Sequence, residues 1–270
     1  MSTRLYNVPI DHVSFDQLDT ILRSWVQDHA QKVIVTPNPE ILLRARRDRD
    51  FLAHLQSAHL SLPDGVGLRY ATAALTDDTL NFRHTGVDTV NHLAKICEDY
   101  GKTIVLFGGQ GDVSKRSASK LRESYRDLDI IGMNPGMIAD REEGLELDPD
   151  ILRELQNLAP TVLAVALGAG KQERFIAQYL KDLPSVKLAI GVGGAVDMIS
   201  GELKRAPAWM RQSGLEWVWR VVQEPSRFGR IWQASVVFPS VVAYDSFKRR
   251  RLLKATSRVL PELAKQLFGR

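Results

Sequence analysis

The sequence has little of what marks exported or membrane-spanning proteins. It contains a single cysteine, Cys97, which excludes an internal disulfide. Residues 1–12 contain no basic segment leading into an apolar one, so we expect no export signal and a location in the reducing cytoplasm. The longest apolar stretch, 231–244, is shorter than the roughly 20 residues of a spanning helix and contains Pro239. The sequence therefore predicts no spanning helix, although it is compatible with attachment to a membrane surface.

Low proline and glycine contents exclude further classes of protein. The 270 residues include 12 Pro and 19 Gly, and 44% of them are apolar and 25% charged. This composition is typical of a folded soluble protein rather than of a disordered or collagen-like chain. The length accommodates either one α/β domain of about 200 residues with an appendage or two equal domains. The six histidines lack the spacing of zinc ligands.

Positive charge is concentrated toward the C-terminus. Residues 203–270 contain 14 Lys and Arg against 4 Asp and Glu, whereas residues 1–202 contain 22 against 28. Four of the five tryptophans also lie in 203–270. Because Trp favours the headgroup region and basic side chains favour an anionic surface, this pattern predicts docking on a membrane, with Lys248 to Arg251 holding headgroups. A helix whose Trp residues pack on its own core is the alternative. No nucleic-acid module is recognisable, so we expect no nucleic-acid partner.

The first 200 residues alternate between β-rich apolar runs and helical patterns. Strands are predicted at 32–36, 103–107, 128–131, 161–167 and 187–191, and helices at about 40–55, 86–99, 112–125, 150–158 and 171–182. Such alternation predicts an α/β fold with a Rossmann-like parallel sheet covered on both faces. We place this core at residues 1–202 and a helical C-terminal appendage at 203–270. Ligands of such sheets bind at the carboxyl ends of the strands, so the residues just after each strand are candidates for a site.

Two glycine-containing or proline-containing segments follow predicted strands. FGGQGD (107–112) places Gly108, Gly109 and Gln110 before a predicted helix, where backbone N–H groups can bind a phosphate. None of the glycine-rich segments is a complete GxGxxG motif, which disfavours a nicotinamide enzyme. TPNPE (36–40) places Thr36 and Asn38 on a turn stiffened by two prolines. A simple capped helix start is the alternative explanation of that turn.

Two further segments carry ionisable or amide side chains. LPDGVG (62–67) places Asp64 at the end of an apolar run, where a carboxylate can serve as a general base or can cap the following helix. GAGKQE (168–173) places Lys171 and Gln172 at a helix start after a strand that is apolar throughout. A glutamine in that position can bind a sugar or a uracil, and a solvated helix start is the alternative.

Eight segments occur in the order typical of one known family. They are TPNPE, LPDGVG, RHTGVD, LFGGQ, LGAGKQE, GVGGAVDMISG, KRAP and GLEWVWRVVQEPSRFGR, and they span about residues 32 to 230. In these segments the chain resembles the WecG/TagA/CpsF glycosyltransferases. The resemblance implies transfer of a hexose, of the N-acetylmannosamine type or a related one, from a UDP-sugar to a polyprenyl-diphosphate-linked saccharide in bacterial surface polysaccharide synthesis. It implies inversion at the anomeric carbon, no metal ion or other cofactor, and a C-terminal appendage that docks on the inner face of the cell membrane and helps to close the site.

The resemblance also assigns roles to individual residues. Asp64, Arg83 and Gln172 are expected to be catalytic, with Asp64 as the base. Substrate is also expected to contact Thr36, Asn38 and the appendage residues Arg220, Arg227 and Arg230. From their own positions after predicted strands, Gly108, Gly109, Gln110 and Lys171 are further predicted substrate contacts. Without a metal, arginines are suited to neutralise the departing UDP. The D-x-D sequences at 48–50, 127–129 and 148–150 lie in charged contexts, so we interpret them as surface segments rather than metal ligands.

Two other classes of function stay open on sequence alone. A nicotinamide-dependent oxidoreductase accounts for the predicted core but not for the basic, Trp-rich tail. A non-catalytic scaffold docked on a membrane accounts for the tail but not for Asp64, Arg83 and Gln172 together. The donor could be N-acetylmannosamine, its uronic acid or glucose, and a homo-oligomer is compatible with the sequence.

Overall fold

Six parallel strands form the central sheet of the computed structural model, which describes residues 2–141, 144–203, 207, 210, 216–223, 228–251 and 255–261. In chain order the strands are β1 (Ser2–Leu5), β2 (Val8–Asp11), β3 (Lys32–Val35), β4 (Leu60–Ser61), β5 (Ile104–Gly108), β6 (Ile130–Met133), β7 (Ala139–Arg141), β8 (Gly144–Glu146), β9 (Val162–Ala166) and β10 (Leu188–Gly191). The sheet has the order β4-β3-β10-β9-β5-β6. Two antiparallel hairpins, β1–β2 and β7–β8, lie outside it. The predicted α/β fold with a parallel sheet is confirmed.

Helices connect the strands and begin at residues that satisfy their first N–H groups. They are α1 (Phe15–Gln27), α2 (Pro39–Ala45), α3 (Arg49–Gln56), α4 (Val66–Leu75), α5 (Gly86–Tyr100), α6 (Val113–Ser124), α7 (Pro149–Leu158), α8 (Lys171–Tyr179), α9 (Ala195–Ile199), α10 (Glu216–Gln223), α11 (Phe228–Trp232) and α12 (Phe238–Lys248). Ser14 forms a capping box with Gln17, and Asn38 and Thr85 cap α2 and α5 with their side chains. These caps fix the residue at which each of the three helices begins.

The sheet is buried on both faces because helices cover it on both sides. Ile104 and Leu106 of β5 pack with α1 and α5, whereas the alternate residues Val105 and Phe107 pack with α7 and α8. This explains why β5, β9 and β10 are apolar throughout. Cys97 lies in the same core, and burial raises the pKa of its thiol to about 12, which makes it unreactive.

The described C-terminal helices pack onto the core. Phe238 of α12 is 1% exposed and joins a cluster formed by the N-terminal hairpin and α2 to α4. Its ring meets the edge of the Tyr6 ring at a centroid distance of 6.4 Å. A π-helical turn, Gln233–Val237, joins α11 to α12 without a break. Among the described residues, no helix is both long and apolar enough to cross a bilayer. The division of the chain at residue 202 stays a prediction.

Ion pairs hold the end of α12 to the same part of the core. Arg46, which follows α2, pairs with Asp245 at 2.6 Å and stacks on the Tyr6 ring. Arg251 donates to the Thr76 carbonyl at 2.9 Å and pairs with Asp77 at 2.6 Å. The guanidinium of Arg251 is thus bound to residues that follow α4, an arrangement that the predicted binding of headgroups by Arg251 did not anticipate.

Candidate active site

A cavity of about 340 Å³ lies at the carboxyl ends of four neighbouring strands, β4, β3, β10 and β9. Its walls are the turns that follow these strands, the start of α5, and residues of α11 and the π-helical turn. Six of the predicted site residues line it: Thr36, Asn38, Asp64, Arg83, Gln172 and Arg230. The fold thus brings together side chains that are separated by almost 200 positions in the sequence.

Thr36 and Asn38 hold the turn after β3 in place. The Thr36 hydroxyl donates to the Gly191 carbonyl at 2.9 Å, which ties the ends of β3 and β10 together. The Asn38 side-chain oxygen accepts from the Ile41 N–H at 2.9 Å, so Asn38 is the cap that the alternative interpretation of this turn anticipated. Both residues also line the cavity, and a substrate that enters it meets side chains that are already oriented.

Asp64 lies on the turn after β4, half-buried at the cavity wall. Its backbone N–H donates to the Pro37 carbonyl at 2.8 Å, which joins this turn to the turn after β3. Gly65, not Asp64, occupies the cap position of α4, with a φ of +89° that other residues rarely adopt. These backbone contacts fix the turn that carries Asp64 at the cavity wall.

Arg83 enters the cavity from the segment before α5. The next residue, His84, is buried, and its Nε2–H donates to the Val13 carbonyl at 2.8 Å. The His84 backbone N–H donates to the Pro63 carbonyl at 3.1 Å, beside Asp64. Burial lowers the pKa of His84, so the ring is neutral at neutral pH. His84 thus fixes the segment that carries Arg83, and Arg83 lines the cavity.

Gln172 and Lys171 point in different directions from the start of α8. Gln172 is buried and lines the cavity, and its side-chain oxygen accepts from the Gly193 N–H at 2.9 Å. The Lys171 ammonium donates to the Ile138 carbonyl at 3.2 Å, and Lys171 is outside the cavity lining. Its predicted contact with substrate therefore has no support from this geometry and stays a prediction.

The turn after β5 also lies outside the lining of the described cavity. A Cβ on Gly108 would lie 2.6 Å from the Ala166 carbonyl oxygen, so this glycine permits the close approach of β5 and β9. Gly109 faces Val113 and Val196, and Gln110 is exposed. Packing accounts for the two glycines, and their predicted contacts with a phosphate, like that of Gln110, stay predictions.

One of the three predicted appendage arginines lies at the cavity. Arg230 lines it, and its Nε is 3.7 Å from a carboxylate oxygen of Glu40. Glu40, the last residue of TPNPE and the second residue of α2, is a cavity residue to which sequence analysis assigned no role. The side chain of Arg220 and the whole of Arg227 lie outside the described residues.

Two of the D-x-D sequences have structural roles. Asp48 and Asp148 accept the N–H groups of Phe51 and Asp150 and so cap α3 and α7. In the third, Asp129 accepts from the Thr103 hydroxyl at 2.5 Å. Across the described part of the chain, no group of three or more His, Cys, Asp or Glu side chains is arranged to hold a metal ion.

Comparison with known proteins gives consistent matches along the chain. The model of the Glycosyl transferase WecG/TagA/CpsF family matches residues 3–252. An N-acetylglucosaminyldiphosphoundecaprenol N-acetyl-beta-D-mannosaminyltransferase of Bacillus subtilis (strain 168) is 32% identical over 228 residues, which cover 84% of this chain and 86% of the relative. A protein of the same name from Bacillus spizizenii is 30% identical over 212 residues, which cover 78% and 79%.

Proposed function

Because the chain belongs to the WecG/TagA/CpsF glycosyltransferase family, we propose that it transfers N-acetylmannosamine from a UDP-sugar to N-acetylglucosamine carried on undecaprenyl diphosphate. The relatives are named for this acceptor and this transferred sugar. The observation that supports the proposal most strongly is that Asp64, Arg83 and Arg230 converge on one cavity. That set provides one carboxylate for a proton and two cations for a diphosphate.

The proposed reaction is a single displacement that inverts the anomeric carbon. The acceptor hydroxyl oxygen forms the new bond to that carbon, and the bond to the diphosphate oxygen breaks, with its electron pair leaving on UDP. Asp64 takes the proton of the attacking hydroxyl. Arg83 and Arg230 stabilise the negative charge that develops on the leaving diphosphate, since guanidinium groups bind phosphate oxygens in pairs.

Uptake of the proton and binding of the diphosphate occur on different walls of the cavity. Asp64 lies on the turn after β4, and Arg230 lies on α11 at the C-terminal wall. Arg230 lies near the carboxylate of Glu40, with 3.7 Å between the Arg230 Nε and a Glu40 oxygen, so its guanidinium is already at the cavity wall. We infer that Arg220 and Arg227 act with Arg230, so that no metal ion is needed to neutralise UDP.

The test of the function is UDP release. The purified protein is mixed with a synthetic polyprenyl-diphosphate-linked N-acetylglucosamine and with each of a panel of UDP-sugars in turn. We expect UDP to be released with UDP-N-acetylmannosamine as donor, and at the same rate in EDTA. Omission of the acceptor is the control for simple hydrolysis. Loss of activity in EDTA with recovery in Mg²⁺ or Mn²⁺ would contradict metal independence. Tight NAD binding without turnover of any UDP-sugar would instead favour the oxidoreductase alternative.

We also propose that the outer face of α11 and α12 lies on the cytoplasmic membrane surface. The large apolar and aromatic side chains exposed along this stretch are Phe228, Trp232, Val236, Tyr244 and Phe247. Ile231, Phe238 and Val242, on the other side, are buried. The exposed cations Lys248, Arg249 and Arg250 follow at its end. An apolar stripe beside basic residues is the pattern that binds an anionic interface. Docking there would bring the lipid-linked acceptor to the cavity wall that carries Arg230.

Substitutions are expected to separate membrane binding from turnover. Replacing Lys248, Arg249 and Arg250 with Gln removes three charges at about 1 kcal/mol each, so liposome binding should fall by about 100-fold at low salt and by less at high salt. Arg230→Ala should instead lower kcat by about 10- to 100-fold with little loss of binding. Liposome flotation and turnover of a short-chain soluble acceptor measure the two effects. Equal loss of binding in both variants, with unchanged turnover, would mean that Arg230 is only an anchor.

A further inference from the structure

A buried carboxylate, Glu173, lies directly behind the cavity residue Gln172. Glu173 is 3% exposed, although it is not itself part of the cavity lining. One of its oxygens accepts from the Gly170 N–H at 2.6 Å, and the other accepts from the Gln172 side-chain Nε2 at 2.8 Å. Burial raises the pKa of the Glu173 carboxyl, and these hydrogen bonds and the charge of Arg44 oppose that rise. The Glu173 carboxyl group therefore accepts hydrogen bonds from two donors at the start of α8.

The hydrogen-bond partners of the Gln172 amide determine which way it points. The Gly193 N–H can only donate, so the amide oxygen of Gln172 faces Gly193 and the amide nitrogen faces the Glu173 carboxyl oxygen, to which it donates. The amide oxygen accepts from the Gly193 N–H at 2.9 Å. A chain of hydrogen bonds thus runs from Gly170 through Glu173 and Gln172 to Gly193.

This chain connects two turns that form the cavity. Gly168 and Ala169 belong to the turn after β9, and Val192, Gly193 and Gly194 belong to the turn after β10; all five line the cavity. A Cβ on Gly191 would lie 2.6 Å from the Gln172 amide nitrogen, so the two turns approach as closely as the amide permits. Arg44 supports the first turn from outside, where its guanidinium donates to the Ala169 carbonyl at 3.1 Å.

We propose that Glu173 is a positioning residue, which acts through the Gln172 amide to set the distance between the turns after β9 and β10 and thereby the shape of the cavity. Its effect on transfer rests on the proposed function, whereas its effect on the turn after β10 does not. In this role Gln172 acts on the reaction through its bond to Gly193 rather than by contact with substrate.

Exchanging the two side chains tests the proposal. Glu173→Gln places an amide where Gly170 and Gln172 both donate, so one hydrogen bond must be lost. Gln172→Glu places two carboxylates side by side with no donor between them. The double variant Gln172→Glu/Glu173→Gln restores all three bonds: the new amide at position 173 can accept from Gly170 and donate to the new carboxylate at position 172, which accepts from Gly193. Glu123→Gln, on an exposed residue of α6, is the matched control.

Hydrogen exchange of peptides covering residues 191–198 is the readout that needs no substrate. Each single variant is expected to exchange there about tenfold faster than the wild type, and the double variant to return to the wild-type rate. kcat/KM, measured well below the melting temperature, should fall about tenfold in each single variant and recover in the double one. If Glu173→Gln does not fold, Gln172→Met is a second test of the hydrogen-bond chain, since it removes the bonds to both Gly193 and Glu173 while the carboxylate stays in place.

Three outcomes would overturn the proposal. Unchanged exchange at 191–198 in folded single variants would show that the hydrogen-bond chain does not hold this turn. A lower melting temperature of Glu173→Gln with unchanged kcat/KM would show that Glu173 stabilises the fold but does not affect the reaction. Restored exchange without restored kcat/KM in the double variant would show that Gln172 acts by touching substrate. Absence of transferase activity in the wild type would instead refute the proposed function, and the exchange data would still decide the positioning role.

Discussion

Asp64→Asn is expected to lower kcat by about 10²- to 10⁴-fold, the range that a positioned general base contributes. Asparagine has nearly the same size and shape but cannot take up a proton at neutral pH. The hydrogen bond that fixes the turn comes from the Asp64 backbone N–H and is retained in the variant. The affinity for UDP should change little, because the proposed diphosphate contacts are the side chains of Arg83 and Arg230 rather than that of Asp64.

Single-turnover kinetics and a melting curve measure this effect. Asp127→Asn is the matched control, because Asp127 is exposed and lies just before β6, at the edge of the sheet opposite the cavity. Turnover within a factor of about 3 of the wild type in folded Asp64→Asn would refute the assignment of Asp64 as the base. A lower melting temperature together with lower activity would indicate a structural role.

Phe238→Ala is expected to lower the free energy of unfolding by about 3–5 kcal/mol, the usual cost of truncating a fully buried phenylalanine. The Phe238 ring is buried between the hairpin and α4. A Cβ on Gly67 would lie 3.7 Å from this ring, so the cavity left by the truncation would adjoin the turn that carries Asp64. The variant should therefore also lose transferase activity at temperatures where it is still folded.

Urea denaturation followed by circular dichroism gives the free energy. Phe247→Ala on the same helix is the control: its side chain is 69% exposed, and we expect a change within about 0.5 kcal/mol. Equal, small effects of the two substitutions would show that α12 contributes little to the stability of the core.

The regular strands and helices were predictable because their patterns are long and apolar. All five predicted strands correspond to strands of the sheet, with ends shifted by one or two residues. β4 was not predicted, since its two residues are too few to form a pattern. The predicted helix at 40–55 was wrong as a single element: the chain breaks after α2, and Asp48 caps α3. The β1–β2 hairpin was also missed. Its turn residues, Tyr6 and Asn7, adopt positive φ, but they are not the Asn-Gly or Asp-Gly pair that indicates such a turn in a sequence.

The site was predictable where a side chain follows a strand. Thr36, Asn38, Asp64, Arg83 and Gln172 were identified in this way or from the resemblance, and all line the cavity. Glu40 and Glu173 were not identified, although both lie in quoted motifs. A glutamate at the third position of a helix can accept from the N–H of the residue before the helix, and that signal, Glu173 three residues after Gly170, was available in the sequence. The burial of Glu173 was not predictable, because it depends on how other elements of the fold pack around α8.

The π-helical turn at Gln233–Val237 fixes the rotational phase between α11 and α12. An α-helix advances 100° per residue, and a π-helical turn accommodates one residue more than an α-helical turn does. Arg230 lines the cavity and Phe238 is buried in the core, and the π-helical turn between them sets the angle between the two directions. A chain one residue shorter here would rotate the same side chains to other faces. The geometry of this wall is therefore encoded by the number of residues in the segment as well as by their identity.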